Sequence, residues 1–294
     1  MPAGIGNSRT ETPKKDSLSK SDFERLRRLI YAESGIHLSA EKITMLEIRL
    51  RRRLKTLGMA SLGDYCDRLF SLDNRSPALA GELVHLIDVV TTNKTDFFRE
   101  SGHFDYLVSK ALPELGVRPG FSRSLFAWSA GCSSGEEPYT LAMVLSEYAE
   151  TCSGFRFSIL ATDISTEVLD KARMGIFKSE QARPVPAGLY RKYFMRSRDS
   201  QSDLVRVVPE LRALVEFRRL NFMDETYDLP QTPEILFCRN VIIYFDRPTQ
   251  ERILKKLIRH LAPGGYFFAG HSESLQGMDL PLISVAPSTY RKQA

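Results

Sequence analysis

A chain of 294 residues exceeds the usual size of one compact domain, so we expect at least two folded units. Hydrophobic residues make up 43% and charged residues 26%, which excludes a fibrous chain and a chain that is disordered throughout. The net charge of +5 is modest, so the position of the basic residues matters more than their number.

The N-terminal part of the chain is predicted to be a short leader followed by helices. Residues 1–20 are rich in Gly, Ser, Thr, Pro and Lys, with almost no large apolar side chains, so we expect a disordered leader there. Over residues 21–90, apolar side chains recur at helical spacing, which predicts an all-α N-terminal domain. Residues 91–120 would then form a linker that carries some of the site residues.

After about residue 120, short apolar runs alternate with amphipathic helices, which is typical of a sheet covered by crossover connections. We therefore predict a Rossmann-like α/β domain over 121–294. Its core strands would be 125–128, 157–161, 235–238 and 266–269, and its helices about 136–148, 166–174 and 248–261. Two further strand-like runs, 204–208 and 214–217, predict a small antiparallel β insertion at about 177–219.

The stretch from Ser129 to Tyr139, Ser-Ala-Gly-Cys-Ser-Ser-Gly-Glu-Glu-Pro-Tyr, directly follows a predicted strand and precedes a helix. Gly131 would let the backbone turn sharply and approach a ligand closely. Glu136 and Glu137 stand where a dinucleotide site holds its pyrophosphate, and their charge would repel a phosphate. They instead suit a cationic ligand such as the amino group and sulfonium of S-adenosylmethionine. A plain strand-to-helix connection remains the alternative.

Two more polar positions follow predicted strands. Asp163 ends the second strand, where a carboxylate can hold a ribose diol, or can simply cap the next helix. Asn240 follows the strand 235–238 and could meet the substrate or the methyl donor. It could also cap a turn, with Tyr244 as a core residue.

The segment Thr91-Thr-Asn-Lys-Thr-Asp-Phe-Phe-Arg-Glu100 joins the two predicted domains, and alone it could be a packed linker. Together with Ser-Gly-Glu-Glu-Pro-Tyr, Ala-Thr-Asp-Ile and Cys-Arg-Asn-Val-Ile-Ile-Tyr-Phe, in this order, it resembles the chemotaxis receptor methyltransferases, the CheR family. The resemblance covers nearly everything after Ser21.

The resemblance implies a helical N-terminal domain, a β subdomain inserted in the α/β domain, and S-adenosylmethionine as the methyl donor. It implies methylation of specific glutamates on chemoreceptor cytoplasmic helices, giving glutamyl methyl esters and S-adenosylhomocysteine. Arg99 and Tyr244 would lie beside the reacting groups. The implied cofactor contacts are Asn93, Thr95, Arg99, Glu137, Asp163, Asn221, Phe222, Asn240 and Val241, to which the Gly-rich turn adds Gly131 and Glu136.

A basic run on a predicted helix comprises Arg49, Arg51, Arg52, Arg53 and Lys55. Such runs are commonly solvated surfaces. Since the substrates implied by the resemblance are acidic helices, the run is also a candidate docking surface. Family members that tether to a receptor's C-terminal peptide have a Gly-containing loop in the β subdomain. The loop 196–203 has no glycine here, so we do not expect tethering.

Other classes of protein fit the sequence less well. A nucleic-acid methyltransferase would share the cofactor fold, but the tip of the strand 235–238 reads Arg-Asn-Val-Ile rather than the Pro-Pro-Tyr or Pro-Cys type of those enzymes. A non-catalytic scaffold that binds the cofactor stays open. The histidines show no metal-ligand spacing, so we expect no metal site. The four dispersed cysteines and the absence of a signal or membrane-spanning segment predict free thiols in a cytoplasmic protein.

Overall fold

The computed structural model describes residues 16–73, 75–118, 121, 123–199 and 201–293, and the chain divides into two compact units. Unit 1 comprises the described residues up to Leu29 together with Leu38–Val90, and unit 2 comprises Ile30–His37 and the described residues from Thr91 onward. Residues 1–15, most of the predicted leader, lie outside the described residues. Leu18 is buried, and its amide donates a hydrogen bond to the Glu47 carboxylate at 2.9 Å. Ordered packing therefore already includes part of that leader.

Unit 1 is all-α, as the apolar spacing predicted. Leu46, Leu50 and Leu54 lie on one buried side of the second helix, and Gly58 ends it in the left-handed conformation. The Ser61 hydroxyl accepts a hydrogen bond from the amide of Asp64 and so caps the third helix. The helices are α1 (Lys20–Ser34), whose C-terminal residues from Ile30 on belong to unit 2, α2 (Ile43–Leu57), α3 (Leu62–Ser71) and α4 (Pro77–Val90).

Unit 2 is an α/β domain. Its helices over the described residues are α5 (Gly102–Tyr106) and α6 (Leu112–Gly116), joined by one π-helical turn (Leu107–Ala111), then α7 (Glu136–Thr151), α8 (Thr166–Met174), α9 (Ala187–Tyr193), α10 (Pro209–Arg212) and α11 (Arg247–His260). A short 3-10 turn, Ile242–Tyr244, precedes α11. The helix pair α5–α6 lies inside the predicted linker and is folded.

The strands of unit 2 form a large mixed sheet and a small antiparallel one. Those of the large sheet are β1 (Ser124–Ala130), β2 (Arg156–Asp163), β6 (Val215–Arg219), β7 (Ile235–Cys238), β8 (Tyr266–Ala269), β9 (Leu282–Ala286) and β10 (Thr289–Lys292). Their order is β6-β2-β1-β7-β8-β10-β9, parallel from β6 to β8, with β10 antiparallel to both neighbours. The small sheet has the order β3-β5-β4 and consists of β3 (Ile176–Lys178), β4 (Phe194–Arg196) and β5 (Leu204–Val207).

The structure confirms the Rossmann-like fold class and the four core strands, and it corrects one assignment. The run 214–217 was expected in the β insertion, but Val215 pairs with Ile159 of β2 and makes β6 an edge strand of the large sheet. A short apolar run does not reveal which sheet it joins, because both sheets offer a partly buried position. The C-terminal hairpin β9–β10 was not predicted.

The large sheet separates two apolar clusters, because side chains alternate between the faces of a strand. Ala127, Ile159 and Ile235 share one face, which α7 and α5 cover, whereas Trp128 and Leu236 share the other, which α11 covers. The parallel strands therefore end together at one edge, on well-packed layers that hold the loops after them in place.

In the part of the chain that the structure describes, no helix has the length and apolar character needed to span a membrane. All four cysteines lie in that part and are free thiols, as expected.

Candidate active site at the strand tips

The Gly-rich turn after β1 is a tight loop that only glycine fits at two positions. Gly131 and Gly135 have φ angles of 84° and 100°, in the region that L-residues rarely adopt. The amides of Gly131 and Cys132 both donate to the carbonyl oxygen of Thr162, at 2.7 and 2.9 Å. A Cβ atom at Gly131 would overlap the side chain of Val241. The turn after β1 and the loop after β7 are thus in direct contact.

Asp163, at the end of β2, is hydrogen-bonded to this turn. Its carboxylate accepts hydrogen bonds from the amides of Ser133, at 2.8 Å, and Ser165, at 2.9 Å. Asp163 therefore connects the Gly-rich turn to the start of α8, and it places a carboxylate at the tip of β2.

The segment from Asn93 to Glu100 folds against the same turn. The Ser133 hydroxyl donates to the carbonyl oxygen of Asn93 at 3.0 Å, and the amide of Phe98 donates to the Thr140 hydroxyl at 3.2 Å. Phe97 is buried and packs its ring against Phe177, with centroids 4.9 Å apart. The segment expected to link two domains is thus part of the strand-tip region, and it brings Asn93, Thr95 and Arg99 there.

A buried guanidinium joins this segment to the tip of β7. Arg239 is 6% exposed, and its Nη2 atom lies 3.1 Å from Oε2 of Glu100. Its Nη1 atom lies 3.4 Å from Oε2 of Glu137, whose other oxygen accepts from the Ser129 hydroxyl at 2.8 Å. Burial raises the pKa of Glu137, although Arg239 and the hydroxyl favour its charged form. Burial opposes ionisation of Glu100 too, but Arg239 and the His271 amide lower its pKa overall.

The two adjacent glutamates of the Gly-rich turn have different environments. Glu136 is 1% exposed, and its carboxylate accepts from the Ser134 hydroxyl at 2.7 Å, with the Gln181 amide at 3.5 Å. Burial raises its pKa to about 7. We expected both carboxylates at the ligand, but only Glu137 remains partly accessible there. Glu136 instead connects the start of α7 to the loop after β3.

The tip of β6 contributes Asn221 and Phe222. The amide of Leu220 donates to the carbonyl oxygen of Asp163 at 3.0 Å, so this tip adjoins that of β2. The Asn221 side chain donates to the carbonyl oxygen of Glu33 at 2.6 Å, and Phe222 is buried.

Sequence reasoning missed the segment Ile30–His37, which lies at the strand tips of unit 2. Besides the Glu33 contact, its His37 amide donates to the carbonyl oxygen of Tyr244 at 2.9 Å. The hydroxyl of Tyr31 donates to Asp246 at 2.7 Å. These residues precede the rest of the site by more than fifty positions, and no pattern in the sequence connects them to it.

Glu100, His103 and His271 are the one group in the described residues whose side chains could together hold a metal ion, with potential ligand atoms within 4.8 Å of one another. Both oxygens of Glu100 already accept hydrogen bonds, from Arg239, the Asn240 side chain and the His271 amide. The adjacent guanidinium would repel a second cation. We assign no metal to this group, and the absence of a metal site stays a prediction.

The basic run on α2 is divided by its contacts within unit 1. Arg53 forms a two-pronged pair with Glu82, with distances of 3.0 and 2.6 Å, and the guanidinium of Arg49 donates to the carbonyl oxygens of Val89 and Val90. Arg51 donates to the carbonyl oxygen of Asp16. Arg52 and Lys55 are exposed. The proposed docking surface therefore centres on these last two residues.

The strand tips fit a cationic methyl donor with a ribose. The turn at Gly131 presents backbone without a side chain, and Asp163 places a carboxylate, a group that binds hydroxyls, at the end of β2. Glu137 adds a carboxylate that is buried in all but a small part. These features match the groups that an S-adenosylmethionine molecule offers.

Comparisons with known proteins identify the family of the chain. Residues 93–290 match the family described as "CheR methyltransferase, SAM binding domain", and residues 21–91 match "CheR methyltransferase, all-alpha domain". The chain is similar to a chemotaxis protein methyltransferase of Borreliella burgdorferi, with 39% identity over 94% of this chain and 95% of the relative. It is also similar to that of Escherichia coli, with 38% identity over 95% of this chain and 93% of the relative. With both of its units matched, the chain belongs to the CheR methyltransferase family, and its methyl donor is S-adenosylmethionine.

Proposed function

We propose that this protein transfers the methyl group of S-adenosylmethionine to specific glutamate side chains on the cytoplasmic helices of chemoreceptors. The products would be glutamyl methyl esters and S-adenosylhomocysteine. One observation carries the proposal: the segment 93–100, here called the Arg99 segment, contacts the tips of β1, β2 and β7. This contact brings a cationic side chain beside the residues proposed to hold the methyl donor. The similar proteins of Borreliella burgdorferi and Escherichia coli are chemotaxis protein methyltransferases, which supports the same substrate class.

The reaction needs alignment more than proton transfer. A glutamate side chain has a pKa of about 4.3, so the acceptor carboxylate is already charged at neutral pH and needs no general base. When bound, S-adenosylmethionine supplies an electrophilic methyl group on a sulfonium. The task of the protein is therefore to hold the acceptor and donor in line and to limit water.

Arg99 is the residue that we assign to alignment of the acceptor. One guanidinium nitrogen donates to the carbonyl oxygen of Lys94 at 3.1 Å, which fixes the side chain and leaves other N–H groups for a carboxylate. Two parallel hydrogen bonds would orient the acceptor. Tyr244, on the 3-10 turn after β7, is proposed to lie beside the reacting groups.

We assign donor binding to Asn93, Thr95, Arg99, Gly131, Glu137, Asp163, Asn221, Phe222, Asn240 and Val241. Asp163 would accept from the ribose hydroxyls, and Glu137 would favour the cationic amino group of the donor. Because chemoreceptor signalling helices lie in the cytoplasm, we infer that the protein acts there.

The test is to incubate the protein with S-adenosylmethionine labelled on its methyl group and with receptor-containing membranes. Label that enters the receptor and is released as methanol by mild base identifies a methyl ester. Base-stable label on protein, or label on added nucleic acid, would refute the proposal. Cofactor binding without any transfer would favour the non-catalytic scaffold.

Peptide tethering is tested separately, by calorimetric titration with receptor C-terminal peptides. Because the loop between β4 and β5 lacks glycine, we expect no binding in the micromolar range. Micromolar binding would show that the glycine is not required.

A further inference from the structure

The region around Arg99 is held in an unusual backbone conformation. Phe98 and Glu100, the neighbours of Arg99 on each side, both have a φ of 54°, and Asn240 on the facing loop has a φ of 58°. Residues other than glycine rarely adopt a positive φ, and those that do are held in this conformation by their surroundings. The contacts that hold these three residues therefore matter for the position of Arg99.

Those contacts converge on one carboxylate and one guanidinium. Oε2 of Glu100 accepts from Nε and Nη2 of Arg239, at 3.3 and 3.1 Å, and Arg239 also donates to the carbonyl oxygen of Arg99. Oε1 of Glu100 lies 3.4 Å from the side-chain nitrogen of Asn240 and 3.2 Å from the amide of His271. Arg239 further reaches Glu137 at 3.4 Å. The pair thus connects the Arg99 segment, the loop after β7 and the first turn of α7.

We propose that Glu100 and Arg239 are a positioning pair, which fixes the Arg99 segment and the Asn240 loop relative to each other so that Arg99 can align the methyl acceptor. The inference rests on the proposed function, because it assigns a role to residues behind the proposed acceptor site. Neither residue of the pair needs to touch the donor or the acceptor. Their effect would pass through the backbone of Arg99 and the side chain of Asn240.

The loss of activity on substitution of Arg239 or Glu100 should depend on the geometry of the pair as well as on its charge. The planar guanidinium of Arg239 serves several acceptors at fixed angles, which the single ammonium of a lysine cannot reproduce. Arg239→Lys should therefore lose activity although the charge is kept. Glu100→Gln keeps the shape of the side chain but weakens its bonds to the guanidinium.

The experiment measures steady-state methyl transfer and cofactor affinity for Glu100→Gln, Arg239→Lys, Arg239→Gln and the double variant Glu100→Gln/Arg239→Gln. We expect kcat to fall roughly 10- to 100-fold in each single variant, because small displacements of an aligning group are costly. The cofactor Kd should rise less than about tenfold, because the pair fixes the proposed donor contacts Arg99 and Asn240, whereas Gly131, Asp163 and Asn221 lie outside the segments that it holds. The double variant should lose less than the product of the two single losses, because the residues act together.

Glu234→Gln is the matched control. Glu234 precedes β7, at the end opposite Arg239, and its half-buried carboxylate accepts from the amide of Phe126 at 2.9 Å. This variant perturbs the same strand away from the strand tips, so kcat should stay within about twofold of the wild type. Equal losses in Glu234→Gln and Glu100→Gln, measured at a temperature where both are folded, would overturn the positioning role. So would a Glu100→Gln variant with wild-type kcat.

Hydrogen exchange separates this inference from the proposed function. Amides of the segment 93–100 and of the loop 239–242 should exchange faster in Glu100→Gln than in Glu234→Gln or the wild type. A wild type that forms no methyl ester refutes the proposed function alone, and the exchange comparison still decides whether the pair holds these segments. Unchanged exchange in Glu100→Gln would overturn the inference even in an active enzyme.

Discussion

Single residues show how far a motif predicts its own environment. Glu136 and Glu137 are neighbours in the sequence, yet one is in the interior and the other is at the strand tips. Adjacent side chains of a helix point about 100° apart, so at most one of them can face a given ligand squarely. Which one does so depends on how α7 packs on the sheet, and the motif alone does not contain that information. The positioning role that we propose for Glu100 and Arg239 could not be predicted for the same reason. Both residues lie inside the motifs named above, but the motifs do not show that they contact each other.

The contact between Gly131 and Val241 leads to a stability prediction. Gly131→Ala would place a methyl group on Val241 at a backbone φ of 84°, so we expect a loss of about 2–4 kcal/mol in the free energy of unfolding. Val241→Ala in the same chain should restore part of this loss, because it removes the overlap but not the backbone strain. Urea denaturation measures both.

Gly102→Ala is the control for that series, because a Cβ at Gly102 has open space around it. Its stability should match the wild type closely. A Gly131→Ala protein as stable as Gly102→Ala would contradict the close approach of the two loops.

Burial of Glu136 predicts an unusual dependence of stability on pH. The folded state raises the pKa of this carboxyl from 4.5 to about 7, so it binds the proton more tightly than the unfolded chain. Its contribution to stability is therefore present at low pH and is lost as pH rises from about 4.5 to about 7. Glu136→Gln stays neutral, and it should gain up to about 3 kcal/mol relative to the wild type over that interval.

Glu147→Gln provides a comparison in which stability should depend on pH in the opposite direction. Hydrogen bonds from Lys192 and Tyr193 lower the pKa of Glu147, so its contribution is lost as pH falls. Denaturation curves at several pH values should show the two variants diverging from the wild type in opposite directions. A difference between Glu136→Gln and the wild type that is independent of pH would contradict the assignment.

At the scale of elements, strong and uniform patterns were predictive and interrupted ones were not. The core strands are continuous apolar runs because both faces of a parallel strand are buried, and that signal needs no knowledge of the partners. The helical stretch 102–116 was assigned to a linker. Pro113 interrupts its pattern, and proline usually indicates a helix end. In the structure, the π turn Leu107–Ala111 directly precedes α6, Pro113 lies in the first turn of α6, and Leu107 and Leu112 are buried.

The start of α11 carries a prediction of its own. The Asp246 side chain caps the helix by accepting from the amide of Thr249 at 2.9 Å, and it also accepts from the hydroxyl of Tyr31. Asp246→Ala should cost about 1–2 kcal/mol, whereas Asp246→Asn keeps an acceptor for the cap and should cost less. Tyr31→Phe leaves the cap in place and removes the bond to Asp246, together with the contact of 3.3 Å between the Tyr31 and Thr249 hydroxyls. Thermal unfolding ranks the three variants, and equal losses in Asp246→Asn and Asp246→Ala would contradict the cap.

At the scale of the whole molecule, charge should guide association with an acidic substrate. Reversal of the exposed pair, Arg52→Glu/Lys55→Glu, should raise KM for the receptor roughly three- to tenfold and leave cofactor affinity unchanged. The wild-type KM should also rise with salt, because exposed charges are screened within about 8 Å at physiological ionic strength. An unchanged KM in the double variant would refute the docking surface.

The basic run cannot be treated as one surface, and Arg53→Gln tests this. This variant leaves Glu82 without its two-pronged partner, so we expect it to lower the stability of unit 1. In the sequence, Arg53 and Arg52 look equivalent, because consecutive basic residues differ only in the partners that the fold gives them.

The path of the chain also limits how the protein can be divided. Helix α1 begins in unit 1, yet its last residues, together with the loop that follows them, belong to unit 2, before the chain returns to unit 1 at Leu38. A fragment that starts at Thr91 would therefore lack the Glu33 carbonyl oxygen, to which the Asn221 side chain donates. It would also lack the His37 amide, which donates to the carbonyl oxygen of Tyr244. No single cut yields both halves intact, so the α/β unit expressed from Thr91 onward is missing a piece of the edge where we propose the active site.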